Sequence, residues 1–381
     1  MTGPTGLAAR RVTPDLARGL MLALIAMANA HLYLVERPIG YRGYPAGLTG
    51  GDAVLAAVQM VLVDGRVYPL FAALVGYGVA RLAERAPDAA DSVLKRRGLV
   101  LLGIGALHGF LLFPGDIVGA YGLVVLLLAP SLAGPRPVSS RALAVLAAVF
   151  AGLSVLLGAA QGMPQGAPTV PSVAAPTLGA FLGGHPAEWL VTAVFSALLT
   201  APAVLVGVVI ARTRTLDEPA AHRGRLAWWA QGGLLGSVVL GLPLALAVAG
   251  VWAPSGIVGA VAGAAHTAGG YAGALGLLGV MGLLGSVRWP GRDLIAASGT
   301  WSMTLYLSQS VVFVAVFATV AGGLGATASL TSATLVGLAT WLVGLLVAGP
   351  LARAGHRGPA ELVVRRLTYP RRTVTTTGPD E

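Results

Sequence analysis

Six residues of this 381-residue chain have polar or ionisable side chains that could take part in catalysis and lie beside long apolar runs. They are Asn29, His31, Asp64, Arg66, His108 and Asp116. A histidine next to a carboxylate suits general acid–base catalysis or transient acyl carriage, because the carboxylate fixes the imidazole tautomer and stabilises the imidazolium. Each residue also has a structural interpretation: Asp116 as a helix N-cap, Asp64 and Arg66 as an ion pair, and His108 as a core histidine.

The apolar runs that must position these residues are long enough to cross a membrane. The chain is 56% hydrophobic and 10% charged, and about 20 residues cross the hydrocarbon core. We predict an all-α, polytopic membrane bundle with ten spans, at residues 16–35, 66–83, 97–112, 116–132, 141–160, 187–211, 227–250, 256–286, 293–321 and 331–352. The six residues then lie at one depth near the outer ends of the first four spans. The polar segment 51–64 is predicted to be an outer amphipathic or re-entrant helix.

The distribution of positive charge predicts the orientation of the bundle. All but three of the 25 lysines and arginines fall in alternate loops, and the three exceptions are Arg37, Arg42 and Arg66. Because short loops rich in lysine and arginine stay in the cytoplasm, we place both termini there. The net charge of +10 is spread over these loops, so the expected partner is the lipid bilayer and not nucleic acid. A composition with 54 glycines indicates a multi-pass protein of a bacterial plasma membrane.

A stretch rich in proline and glycine divides the chain into two halves. We predict a five-helix half at 1–160 that carries the outer polar site, an extracytoplasmic loop at 161–186, a second transmembrane half at 187–370 and a disordered tail at 371–381. The absence of cysteine excludes disulfides and thiol nucleophiles. No metal site is expected, because no HExxH-type spacing occurs.

Two further polar groups lie within the predicted C-terminal spans. His266 is at mid-membrane depth among small residues, where interhelical hydrogen bonding is expected. Ser302, Tyr306 and Gln309 fall on one face of the ninth span, and that face is expected to point at the bundle interior or a cavity.

Four sequence blocks resemble the YeiB-like family of bacterial membrane proteins, also called domain of unknown function 418. They are Pro14-Asp15-Leu-Ala-Arg18-Gly19 leading to Ala28-Asn29; Arg96-Arg97-Gly-Leu followed by Gly105-Ala-Leu-His108-Gly, Gly115-Asp116-Ile and Tyr121; Ser298-Gly-Thr-Trp-Ser-Met-Thr304-Leu-Tyr306; and Arg357-Gly358-Pro359-Ala-Glu361 followed by Arg365-Arg366-Leu-Thr368-Tyr369. The resemblance implies a YeiB-like C-terminal half. It differs at Leu362, where the family often has tryptophan.

The N-terminal half is also distantly similar to transmembrane acyltransferases such as heparan-alpha-glucosaminide N-acetyltransferase. The shared residues are Asp15, Arg18-Gly19 and Asn29. This resemblance implies transfer of an acyl group from cytoplasmic acyl-CoA to a sugar on the far side, with an asparagine and a histidine in the outer N-terminal region. Asn29 matches the asparagine, and His31 and His108 are competing candidates for the histidine.

Three functions therefore stay open. An acyltransferase would use catalytic residues His31, His108, Asp116, Asn29 and Asp64, would bind its acceptor through Arg66, Tyr121, Tyr306 and Gln309, and would bind acyl-CoA phosphates through Arg96, Arg97, Arg357 and Arg365. It would hold no permanent cofactor, with acyl-CoA as co-substrate and a small molecule or glycan as acceptor. The alternatives are a transporter of a small polar solute, lined by His266, Tyr306 and Gln309, and a non-enzymatic membrane protein. The oligomeric state is open, a homodimer being one option.

Overall fold

The protein is an all-α bundle. The computed structural model describes residues 12–133 and 137–369. In these ranges the α-helices are α1 (Val12–Ala30), α2 (Gly50–Leu62), α3 (Val67–Arg85), α4 (Ala90–Leu111), α5 (Val118–Ala133), α6 (Ser140–Gly158), α7 (Leu178–Arg212), α8 (Arg223–Val248), α9 (Gly256–Ser286), α10 (Arg292–Gly299), α11 (Ser302–Phe317), α12 (Leu330–Arg353) and α13 (Pro359–Thr368). The predicted tail 371–381, and Arg10, Arg11 and Arg136 of the charge pattern, lie outside the described residues.

The helices are those of a multi-pass membrane protein. Seven described helical segments are long and apolar enough to cross a membrane, and eight if the bent pair of α10 and α11 forms one span. Nine of the ten predicted spans each fall on one helix, and the span 293–321 is divided between α10 and α11. However, α4 carries Lys95, Arg96 and Arg97 near its start, and α5 has only 16 residues. The count of ten spans and the cytoplasmic termini therefore stay predictions.

Two predicted boundaries change in the structure. The polar segment 51–64 forms helix α2, followed by a break before α3. The predicted loop 161–186 is wrong in its second part, because α7 already begins at Leu178 and contains Pro186 within it. Thr177 starts this helix by accepting a hydrogen bond from the Ala180 amide, as an N-cap residue does.

Glycines let neighbouring helices pack with their backbones in contact. On α3, Gly76 lies against the carbonyl of Val204, and on α7, Gly207 lies against the carbonyl of Ala73. A methyl group at either position would overlap the opposing carbonyl. Small residues of this kind are what brings helices together in a bilayer, where no hydrophobic driving force acts between them. The close α3–α7 contact fixes one wall of the bundle interior.

The short C-terminal helix α13 is attached to the bundle through a helix cap. α10 and α11 meet at a bend of 82°, which leaves the first amides of α11 without intrahelical partners. Glu361 of α13 accepts hydrogen bonds from the Met303 amide at 2.7 Å and from the Thr304 amide at 3.3 Å. It also accepts one from the Thr304 hydroxyl at 2.6 Å. These contacts hold Arg365 of α13 at the edge of the bundle.

Two loops cover the opposite end of the bundle. The first, residues 34–49, follows α1, and the second precedes α7. The amides of Gln165 and Gly166 donate to the carbonyls of Gly40 and Ile39, at 2.9 and 3.1 Å. Arg37 ties the first loop to the segment before α12 by donating to the carbonyls of Gly325, Ala326 and Ala328. These hydrogen bonds hold the loop 34–49, which places Arg42 near the end of α1.

Candidate functional site

A cavity of about 720 Å³ lies within the bundle. Its lining includes Asp15, at the start of α1, and His31, which directly follows α1. The cavity therefore extends roughly 24 Å along this helix at 1.5 Å per residue. We call its two parts the histidine end and the arginine end. The polar residues of the histidine end are Asn29, His31, Arg42, Asp64, Tyr68, Tyr121, Gln161, Gln165 and Thr169.

His31 is held in a defined orientation at the histidine end. Its Nε2 donates to the backbone carbonyl of Arg42 at 3.2 Å, and its ring stacks on Tyr44 with ring centres 3.9 Å apart. A carbonyl can only accept, so Nε2 carries the proton and Nδ1 keeps a free lone pair. Nδ1 has no hydrogen-bond partner among the described residues. The hydrogen bond therefore fixes the Nε2–H tautomer of His31, and its unpaired Nδ1 is buried in this conformation.

Asp64 pairs with Arg42 and not with Arg66, so the predicted Asp64–Arg66 ion pair is wrong. Both carboxylate oxygens of Asp64 accept from the Arg42 guanidinium, one from Nε and one from Nη2 at 3.0 Å. Burial works to lower the pKa of Arg42, but the charge and hydrogen bonds of Asp64 outweigh burial and hold that pKa above its ordinary value. Arg42 is therefore charged at neutral pH.

Arg66 is fully buried and does not line the cavity. Its guanidinium donates to the Ser237 hydroxyl at 2.9 Å, the Ser237 carbonyl at 3.0 Å and the Asp64 carbonyl at 2.6 Å. It also lies 3.1 Å from both ring nitrogens of His266. His266 in turn lies 3.7 Å from the Asp64 carboxylate. Arg66 and His266 thus form a buried layer behind Asp64, and the predicted substrate contact of Arg66 stays a prediction.

His108 and Asp116 form a second pair. The His108 Nδ1 donates to the Asp116 carboxylate at 2.8 Å, and the other Asp116 oxygen accepts from the Gly119 amide at 2.7 Å. Asp116 is therefore both the partner of a histidine and a cap for α5. Both side chains are buried and neither lines the cavity. The His108 ring lies 5.2 Å from the ring of Tyr306, which does line it.

The remaining predicted substrate contacts divide into two groups. Tyr121 and Tyr306 line the cavity. Gln309 does not, because it is buried and donates to the Leu22 carbonyl at 3.0 Å. Since His266 lies against Arg66, the structure does not bring His266, Tyr306 and Gln309 together in one transport site. Asn29 is half-buried, lines the cavity and makes no side-chain hydrogen bond within the described part of the chain.

The arginine end of the cavity is basic. It is lined by seven arginines and four carboxylates: Arg18, Arg81, Arg85, Arg97, Arg214, Arg357, Arg365, Asp15, Glu84, Asp217 and Glu361. Three of the four predicted phosphate ligands are among them. The fourth, Arg96, is exposed and does not line the cavity. Guanidinium groups bind phosphate oxygens in a bidentate manner, so this end suits a ligand with several phosphates.

Sequence reasoning missed several residues of the site. Arg81, Arg85 and Arg214 contributed only to the charge pattern, although their positions just beyond span ends placed them at one mouth, and Arg18 contributed only to that pattern and to the family resemblances. Arg42 carried a signal, since it is one of three arginines outside the charge pattern. Gln161 and Gln165 belong to a loop whose fold the sequence did not predict. The Gln161 side-chain oxygen is buried without a hydrogen-bond partner among the described residues.

The geometry combines three chemical elements in one cavity. The histidine end offers a neutral imidazole with a free lone pair and an amide, from Asn29, that is available to donate. The arginine end offers seven guanidinium groups, of which Arg18 pairs with Asp15 and Arg81 pairs with Asp217. The space between them is lined in part by apolar residues such as Leu74, Val75 and Leu101. A ligand with a phosphate-rich head and a long, uncharged arm fits this sequence of environments.

Comparison with known proteins finds a family that the C-terminal part of the chain resembles. Residues 210–371 match the family described as "Protein of unknown function (DUF418)". The predicted resemblance to this family is confirmed over that range, which includes Arg214, Arg357 and Arg365 of the arginine end. No curated protein matches the chain. The more distant similarity of the N-terminal residues to acyltransferases stays a prediction.

Proposed function

We propose that this membrane protein is an acyltransferase that moves an acyl group from acyl-CoA at the arginine end of the cavity to an acceptor at the histidine end. The observation that supports this proposal most strongly is the single cavity that joins the two ends. In this proposal the arginine end binds the phosphates of CoA, the space between the two ends holds the thioester arm, and the histidine end binds the acceptor beside His31. A buried histidine alone would not favour this function over a structural role.

His31 is the better candidate for the catalytic histidine. It lines the cavity, whereas His108 does not, and a general base must come within hydrogen-bonding reach of the proton that it removes. The Nδ1 of His108 is already committed to Asp116. His31 and His108 each keep one ring nitrogen without a hydrogen-bond partner among the described residues, Nδ1 in His31 and Nε2 in His108, so contact with the cavity is what favours His31. We assign His108 and Asp116 to positioning the wall that carries Tyr306.

The transfer step follows from these roles. The oxygen or nitrogen of the acceptor attacks the thioester carbonyl carbon while its proton passes to the His31 Nδ1. The new bond to carbon forms, the carbon–sulfur bond breaks, and the CoA sulfur leaves with the proton that the imidazolium returns to it. The Asn29 amide donates to the carbonyl oxygen as negative charge develops on it. At the end of the step His31 is neutral again and the sulfur of CoA is a thiol.

The test is acyl transfer from [¹⁴C]acetyl-CoA to glucosamine or glucose by the purified protein, with His31→Asn compared with His185→Asn. His185 is a matched control, since it is buried, bonds to the Phe110 carbonyl at 3.1 Å and does not line the cavity. Loss of a general base lowers the rate about 10²–10⁴-fold. We expect that loss for His31→Asn, and activity within about threefold of wild type for His185→Asn.

Two results would contradict the proposal at different levels. Full activity of His31→Asn, with unchanged yield and monodispersity, would exclude His31 as the base. Wild-type protein that neither binds acetyl-CoA nor transfers the label to either acceptor would exclude acyl transfer from acetyl-CoA itself.

A further inference from the structure

We infer that Arg42 is a positioning residue: its left-handed backbone, held by Asp64, points the carbonyl that fixes His31 in its proton-accepting tautomer. This inference rests on the proposed function, because it assigns the part of the site that prepares His31 for catalysis. It concerns the backbone of Arg42 and gives the guanidinium the task of holding that backbone in place.

The conformation of Arg42 is unusual for its residue type. Its φ is 55° and its ψ is 33°, a left-handed conformation in which the Cβ of an L-residue crowds the following carbonyl. Such conformations persist where the surroundings over-determine them, and they cluster at functional sites. A glycine here would adopt the same φ without strain, but it could not form an ion pair. The position carries an arginine, which suggests that the side chain is needed.

The contacts on either side of Arg42 explain what that side chain does. Its guanidinium donates to both oxygens of Asp64, and its carbonyl accepts from His31 Nε2 at 3.2 Å. Asp64 is itself fixed, because its backbone carbonyl accepts from Arg66 at 2.6 Å and its carboxylate lies 3.7 Å from His266. The chain of contacts therefore runs from a buried layer, through Asp64 and Arg42, to the imidazole.

A carbonyl is well suited to this task. A carboxylate beside the imidazole would favour the protonated, charged ring, whereas a carbonyl has no net charge and only accepts a hydrogen bond from one ring N–H. Tyr44 fixes the plane of the imidazole ring by stacking on it with an interplanar angle of 10°. Together these contacts set which nitrogen holds the proton and which direction the free nitrogen faces. Asp64 thus holds Arg42, and the Arg42 carbonyl contacts His31.

The test compares Arg42→Gly with Arg42→Ala. Both variants lose the guanidinium, but only glycine adopts the left-handed backbone readily. We expect Arg42→Ala to lower the transfer rate by about 100-fold or more, in the range for a lost general base. Arg42→Gly is expected to be about 10-fold faster than Arg42→Ala, since the left-handed penalty that glycine avoids corresponds to roughly that ratio of populations. Equal rates for the two variants would overturn the inference.

Two control comparisons separate this effect from general damage to the loop. Glu36 lies in the same loop, also has a positive φ of 59°, and bonds to the Thr319 hydroxyl away from His31. Glu36→Gly and Glu36→Ala should therefore transfer at rates within about twofold of each other.

Asp64→Asn should slow the wild-type chain strongly but should slow Arg42→Gly much less, because residues that act through one another are not additive. Equal effects of Asp64→Asn in both backgrounds would show that Asp64 does not act through Arg42.

A spectroscopic measurement separates this inference from the proposed function. In protein labelled with ¹⁵N-histidine, the signals lost in His31→Asn identify His31, and their chemical shifts report the tautomer. We expect the Nε2–H form in wild type and in Arg42→Gly, and a mixture of tautomers in Arg42→Ala. A wild-type His31 in the Nδ1–H form would overturn the inference even if transfer occurs. A fixed Nε2–H form in a protein without transferase activity would refute only the proposed function.

Discussion

Neutralising Arg365 is expected to weaken acyl-CoA binding, whereas neutralising its neighbour Arg366 is not. The two arginines are adjacent on α13 but differ in their surroundings. Arg365 is half-buried and lines the arginine end, while Arg366 is exposed and does not line the cavity. Glu361, one turn earlier, does not compensate the charge of Arg365 fully, because its carboxylate already accepts three hydrogen bonds from α11.

The magnitude follows from the position of Arg365 at the cavity edge. A hydrogen bond to a charged group contributes about 1.5–3 kcal/mol. Partial exposure to solvent screens such a contact, so we expect a loss of about 1–2 kcal/mol for Arg365→Gln. At 1.4 kcal/mol per tenfold change, this corresponds to a roughly 5- to 30-fold higher Kd. Arg366→Gln is expected to change Kd less than about twofold.

The assay is equilibrium binding of radiolabelled acetyl-CoA to the purified protein in detergent at low ionic strength. Repeating it in high salt should reduce the difference between the variants, since salt screens exposed charges. Arg97→Gln and Arg96→Gln form a second pair with the same design. The reasoning would be refuted if Arg365→Gln bound acetyl-CoA as tightly as wild type, or if Arg366→Gln bound it more weakly than Arg365→Gln.

Two predictions concern stability. Gly207→Ala should lower the free energy of unfolding in detergent by about 1–3 kcal/mol, because the added methyl overlaps a carbonyl of α3. Gly183→Ala in the same helix meets open space and should be neutral or stabilising by up to about 1 kcal/mol. Equal melting temperatures of the two variants would contradict the packing described for α3 and α7. Glu361→Gln should cost about 1 kcal/mol, as loss of a helix cap does, and should make the chain more susceptible to proteolysis near α13; an unchanged cleavage rate would show that the cap does not hold this helix.

The helices of the bundle could be predicted from the sequence because long apolar runs have one stable form in a bilayer. Backbone polar groups in hydrocarbon must bond within the segment, so each run becomes a helix. The start of α7 was missed because Pro186 and the nearby glycines resemble a loop. The structure keeps the helix through Pro186. A proline inside a helix removes one amide donor, and helices of membrane proteins tolerate this where neighbouring groups satisfy the freed carbonyl.

The site was only partly predictable. Distance along a span gives the depth of a residue, and depth correctly brought Asn29, His31 and Asp64 to one end of the cavity. Depth does not give the direction in which a residue faces around the bundle. The structure therefore separates His108 from the cavity lining, although the sequence placed it at the same depth as His31. Arg42 acts through a carbonyl on a folded loop, and no side-chain pattern reports such a contact.

The most direct test of the central claim, that one cavity serves a donor at one end and an acceptor at the other, is a transfer measurement across a sealed membrane. Proteoliposomes are loaded with glucosamine, and [¹⁴C]acetyl-CoA is added only outside. The account predicts labelled N-acetylglucosamine inside the vesicles, formed by molecules whose arginine end faces outward, and predicts its loss in His31→Asn. Label that appears only when donor and acceptor share one compartment would contradict the account.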